Sequence, residues 1–187
     1  MKVNKMILGT LLVGMLLFAA CVIPKWVNTV EQDAEVAAPI AASLVDVIDP
    51  ALAPVVTLIE NGFNALVKTL DTYKADLQAQ SPNTATDLQA VQSAFAAVNL
   101  NVAQLESAAQ IKSATSQTTV TAIVQLLGQA VTEMAALVPP NTGLGTRVSG
   151  LGKTSATAGQ VKGWKAKDFK REFNNIVKGD PRFKPLK

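Results

Sequence analysis

Apolar residues return along this chain at alternating intervals of three and four positions, in four separate stretches. The first is Val27, Val30, Ala34, Ala37, Ala41, Leu44 and Ile48. The second is Leu52, Val56, Ile59, Phe63, Leu66, Leu70, Tyr73 and Leu77, and the third Leu88, Val91, Phe95, Val98, Val102, Leu105 and Ala109. The fourth is Val120, Val124, Leu127, Val131, Met134 and Val138. That interval puts side chains on one face of an α-helix, so four amphipathic helices are predicted.

The punctuation between the stripes agrees. Asp49-Pro50 and Ser81-Pro82 each read as a cap followed by proline at the first helical position. A Ser/Thr cluster over residues 113–119 opens the fourth helix, and Pro139-Pro140 closes it because neither proline has an N–H to donate. Pro39 falls inside the first stripe and is expected to kink or split that helix. Short connections favour antiparallel neighbours. The expected fold is therefore all-α: an antiparallel four-helix bundle over residues 21–140, with helices of about 22 to 30 residues and a rod roughly 35 to 45 Å long. The first helix is lined by alanines and can approach its neighbours closely. The fourth is apolar on more than one face, with Ile123, Leu126, Ala130 and Leu137 flanking its stripe, and should be the most buried.

Ahead of the first stripe the pattern changes. Residues 1–5, "MKVNK", are short and positive, and residues 6–18, "MILGTLLVGMLLF", are apolar but for Gly and Thr. Ala19, Ala20 and Cys21 follow, and Cys21 is the one cysteine of the chain. This is the three-part layout of a secretory signal. The tetrad "FAAC" (Phe18-Ala19-Ala20-Cys21) resembles the lipobox of bacterial lipoproteins, a family that prefers Leu where Phe18 stands. The resemblance covers residues 1–21 and implies a signal peptide over 1–20, cleavage between Ala20 and Cys21, and lipid attachment to the Cys21 thiol. Val22 at the second mature position resembles the outer-membrane sorting pattern of the family, so an outer-membrane rather than inner-membrane address is expected. Two or three acyl chains hold a protein stably, at about 0.8 kcal/mol per buried CH₂. Two other readings stay open: an uncleaved anchor, for which residues 6–23 barely suffice to span hydrocarbon, and a buried cysteine beside a core helix. Lipoprotein and uncleaved anchor both export the body.

Beyond the bundle, residues 141–160 are rich in Gly, Ser and Thr and read as a linker. They contain "GLGKT", but a phosphate loop needs glycine where Arg147 stands and a preceding strand, so nucleotide binding is not expected. Residues 161–187 form a basic tail, an amphipathic helix with Phe169, Phe173, Ile176 and Val177 on one face. Gly179 and Pro181 end it. Such a short helix needs a surface. Three are considered: the acidic bundle of the same chain, an anionic lipid surface, and an envelope protein partner. For the last two, Trp164, Lys165, Lys167, Lys170, Arg171 and Lys178 are the expected binding residues. Nucleic acid is not expected as a partner.

Charge sharpens this division. Residues 22–144 carry four basic and eleven acidic side chains, whereas residues 159–187 carry nine basic and three acidic ones, within a net charge of +3. Candidate chemistry is sparse. There is no histidine, which removes the usual general base near neutral pH and the commonest metal ligand. One cysteine supports neither an internal disulfide nor a cysteine-rich zinc site. Glu31, Asp33 and Glu35 cluster in the first helix, but they read as a solvated face at an exposed helix start. No cofactor, metal or catalytic residue is expected. The expected function is that of a lipid-anchored, exported, non-enzymatic bundle with a structural or interaction role at the bacterial cell envelope. The alternatives are a carrier of a lipid-like apolar ligand, or a phage-encoded or membrane-active envelope protein.

Overall fold

The computed structural model describes residues 23–111, 118–139, 163 and 165–187. Among them lie five helices and no strand: α1 (Lys25–Ala42), α2 (Ala53–Gln78), α3 (Thr84–Ile111), α4 (Thr118–Leu137) and α5 (Ala166–Ile176). Helix α1 packs on α2 and α4, α2 on α3, and α3 on α4, while α5 lies across α1 and α4. The described residues are all-helical, with contacts compatible with a helical bundle.

The four stripes became the core. Every member of the first, from Val27 to Ile48, is buried, as are Val56 to Tyr73 of the second and Val120 to Met134 of the fourth. Val91, Val98, Val102 and Leu105 of α3 are buried, with Leu88 and Phe95 partly so. Fully burying one such side chain contributes about 1.5 to 3 kcal/mol, so the stripes supply the main stabilising term. Helix α4 does bury a second face, through Ile123, Leu126 and Ala130, because α5 adds a third neighbour to α1 and α3. Leu137 is the exception and stays 39% exposed at the helix end. Among the described residues α4 is also the one helix long and apolar enough to cross a membrane; here its residues from Val120 to Met134 that carry the two apolar faces are buried in the protein core.

Helix boundaries depart from the sequence reading in three places. Pro39 does not break α1, which runs on to Ala42. A turn region over residues 43–49 then carries Leu44 and Ile48 into the core, with the Ile48 N–H donating to the Leu44 carbonyl at 2.9 Å. Helix α1 thus has 18 residues and α4 has 20, shorter than expected. Asp49-Pro50 does not start α2. The Asp49 carboxylate instead accepts from the Ala51 N–H at 2.9 Å in a side-chain-closed turn, and Pro54 occupies the first turn of α2. Ser81-Pro82 likewise forms a turn before α3, which starts at Thr84. That turn follows a left-handed stop: Gln80 has φ +53°, the Ser81 N–H donates to the Asp76 carbonyl, and the Gln80 N–H to that of Leu77.

Polar contacts fix which ends meet. Lys74, near the end of α2, bonds Glu31, near the start of α1, at 2.5 Å, and Trp26 packs against Tyr73 with ring centroids 5.8 Å apart. The Gln92 amide, in the first half of α3, donates to the Pro139 carbonyl just past α4 at 2.7 Å.

Candidate functional site

The residues with chemistry to offer gather around α5. Its apolar face is seated on the bundle: Phe169, Phe173 and Val177 are buried, and so is Phe183 beyond the helix. Of the three surfaces considered for the tail, the aromatic face takes the chain's own acidic bundle. Ile176 is only partly buried.

Seating that face turns the cations outward. Lys167, Lys170, Arg171 and Lys178 follow one another at helical spacing along one flank, with Asn174 among them. Lys167, Arg171 and Lys178 are exposed and Lys170 is half-buried. Lys165 stands at the N-cap and lies off this flank. Asp168 accepts from the Lys165 N–H at 3.2 Å and pairs with Arg171 at 2.8 Å, on the acidic side of the helix with Glu172. Both contacts hold the Asp168 carboxyl below its usual value, the backbone N–H most. Trp164, Ala20 and Cys21 lie outside the described residues, as does the "GLGKT" segment.

A second group of cations reaches the same flank by a route hidden from sequence spacing. After α5 the chain turns at Gly179, whose φ of +90° falls in the left-handed region that favours glycine. It then folds back alongside the helix. The Asn174 amide clamps the Leu186 backbone at both ends, donating to its carbonyl at 3.0 Å and accepting from its N–H at 2.8 Å. Lys170 Nζ donates to the Lys187 carbonyl. This return brings the Lys187 backbone to Lys170 on the basic flank, and the Lys184 and Lys187 side chains are both exposed. Arg182 is instead committed to Asp180, at 2.6 Å between Nη2 and Oδ2, which holds the Asp180 carboxyl well below the usual carboxylate range. Asp180 also takes a side-chain bond from Thr119, tying the end of α5 to the start of α4. The groove between the end of α5 and the returning segment has a volume of 440 Å³ and is lined by Val177, Pro181 and Phe183; it is open to solvent.

Beneath the first turn of α5 lies the residue that sequence reasoning misplaced. Asp33 is not on a solvated face: it is fully buried, at 0% exposure. Among the described residues neither carboxylate oxygen has a hydrogen-bond partner of normal geometry. Burial pushes the Asp33 carboxyl up to about 6; the backbone N–H of Ala166 opposes that shift, while Glu133 of α4 and Asp168 of α5 add to it. The signal was present in the spacing, since Val30, Asp33, Ala37, Ile40 and Leu44 form a second three-and-four series on α1. Of its neighbours, Glu35 is exposed and Glu31 is bonded to Lys74. The three carboxylates therefore do not form one site. Among the described residues no group of three or more His, Cys, Asp or Glu side chains is placed to hold a metal ion.

No family model, curated protein or solved structure matches the chain.

Proposed function

We propose that this protein is an exported, lipid-anchored, non-enzymatic helical bundle acting as a structural or docking body at the bacterial cell envelope. In this reading Cys21 carries the lipid and the helices form an antiparallel four-helix bundle. The basic flank of α5 faces anionic headgroups. The observation that carries the proposal is the coincidence in residues 1–21 of a charged start, an apolar run, two small residues and the one cysteine. The antiparallel arrangement is supported by the pairing of Glu31 with Lys74 and of Gln92 with the Pro139 carbonyl, each joining opposite ends of neighbouring helices.

The choice of an anionic lipid surface over a discrete anion follows from the form of the cationic flank. Lys167, Arg171, Lys178, Lys184 and Lys187 are exposed, and among the described residues of the tail the aromatic side chains of Phe169, Phe173 and Phe183 are buried. Dispersed, solvated ammonium groups gain about 1 kcal/mol each at an anionic membrane surface. The expected address is the outer membrane, on its periplasmic or outer face.

Two measurements test this. Replacing Cys21 by Ser should abolish labelling with radioactive palmitate and release the chain from the membrane fraction. Reversing Lys167, Arg171 and Lys178 to Glu should lower binding of the purified protein to phosphatidylglycerol-containing vesicles by at least tenfold and leave phosphatidylcholine vesicles unaffected. Undiminished labelling of Cys21→Ser would overturn the anchor. Unchanged binding by the charge-reversed variant would overturn the role of the flank.

A further inference from the structure

We propose that α5 is a pH-gated strap: it is held on α1 and α4 while Asp33 beneath its first turn is protonated, and loosened when that carboxyl ionises. The inference stands on the inner side of α5 and does not depend on lipid attachment or on the basic flank.

The geometry carries it. Asp33 projects from α1 into the junction that α4 and α5 close, where it is removed from water. A protonated carboxyl is tolerated there far better than a carboxylate, because neither oxygen has a hydrogen-bond partner of normal geometry among the described residues. The charged groups acting on it from the packed elements are Glu133 of α4 and Asp168 of α5, and both are negative. From α2 the nearest cation to α1, Lys74, is taken by Glu31 and Asp71. Among the described residues the Ala166 N–H at the start of α5 is what favours the ionised form.

Helix α5 is the element free to respond. Helices α1 to α4 contact one another independently of it, whereas among the described helices α5 touches α1 and α4 and is anchored by Phe169, Phe173, Val177 and the following Phe183. Lifting it would return water to Asp33, whose carboxyl would then fall from about 6 toward its ordinary 3.8. By linkage the docked state is favoured below that window. Ionisation weakens docking by about 100-fold across it, about tenfold of which falls between pH 5 and 7.

Amide hydrogen exchange of the full chain in detergent, read as the ratio of wild-type to Asp33→Asn rates at each pH, tests this; the ratio cancels the intrinsic pH dependence of exchange. At the Phe173 and Val177 amides the ratio should rise about tenfold from pH 5 to 7, while at Phe63 and Leu66 in α2 it stays flat. A flat ratio in α5, or an equal rise in α2, would overturn the proposal. Phe173→Ala supplies an independent arm that does not need the Asn variant to fold. Here α5 should exchange freely at both pH values and the Asp33 carboxyl, followed by ¹³C NMR, should titrate near 4. A carboxyl that still titrates near 6 beneath a freely exchanging α5, or an α5 that stays protected, would overturn it.

Discussion

At the scale of single residues, Asp33 sets the most unusual term. Its unfolded carboxyl titrates at its ordinary value of 3.8 and its folded one at about 6. Below pH 4 both states hold the proton. Between about 4 and 6 the unfolded chain gives it up first, so stability falls as pH rises; above 6 the deficit is constant. Two units of difference correspond to about 3 kcal/mol. Asp33→Asn is therefore expected to raise stability at pH 7 by about 2 kcal/mol, some gain being lost to the amide's own unmet donors. Urea unfolding of both proteins at pH 4.5 and pH 7 checks this: the difference between them should widen with pH, and a constant difference would contradict it. The residue was legible only in part. The three-and-four series through Val30, Asp33 and Ala37 marks a buried position, but α1 has a second buried face only because α5 and α4 both cover it. Sequence periodicity reports how many faces are apolar and not how many neighbours a helix will have. The same blindness hid the Asn174 clamp on Leu186, which depends on the chain doubling back.

At the scale of elements, existence was far easier to read than extent. Each of the four stripes marks a helix because apolar burial dominates and its period survives local exceptions, although Leu44 and Ile48 of the first reach the core from the turn that follows α1. The ends moved because caps compete with one another: Asp49 and Ser81 bond the backbone two residues on and make turns, leaving the helices to start later, at Ala53 and Thr84. Close packing between elements is equally specific. A Cβ added to Gly62 of α2 would lie 2.7 Å from Val98 Cγ2 on α3. Valine is stiff at χ1 and cannot swing away. Overpacking costs about 1 to 3 kcal/mol, against roughly 1 kcal/mol gained in helix propensity. Gly62→Ala should therefore destabilise the protein by about 1 kcal/mol, and adding Val98→Ala should erase the clash component in a double-mutant cycle. Independent effects of the two changes would show that α2 and α3 do not meet there.

At the scale of the whole molecule, the division of charge finds a physical arrangement. The acidic bundle and the basic tail are packed together through the apolar face of α5, and the cations that remain face outward together with those of the returning segment. Composition foreshadowed the charge split between the body and the tail. The side of α5 that would be free was settled by packing alone. The central claim is attachment through Cys21. Intact-mass measurement of the protein extracted from membranes tests it most directly. The expected species is a chain that begins at Cys21 and carries the added mass of a diacylglycerol and an acyl group. A chain that begins at Met1 with an unmodified thiol would contradict it.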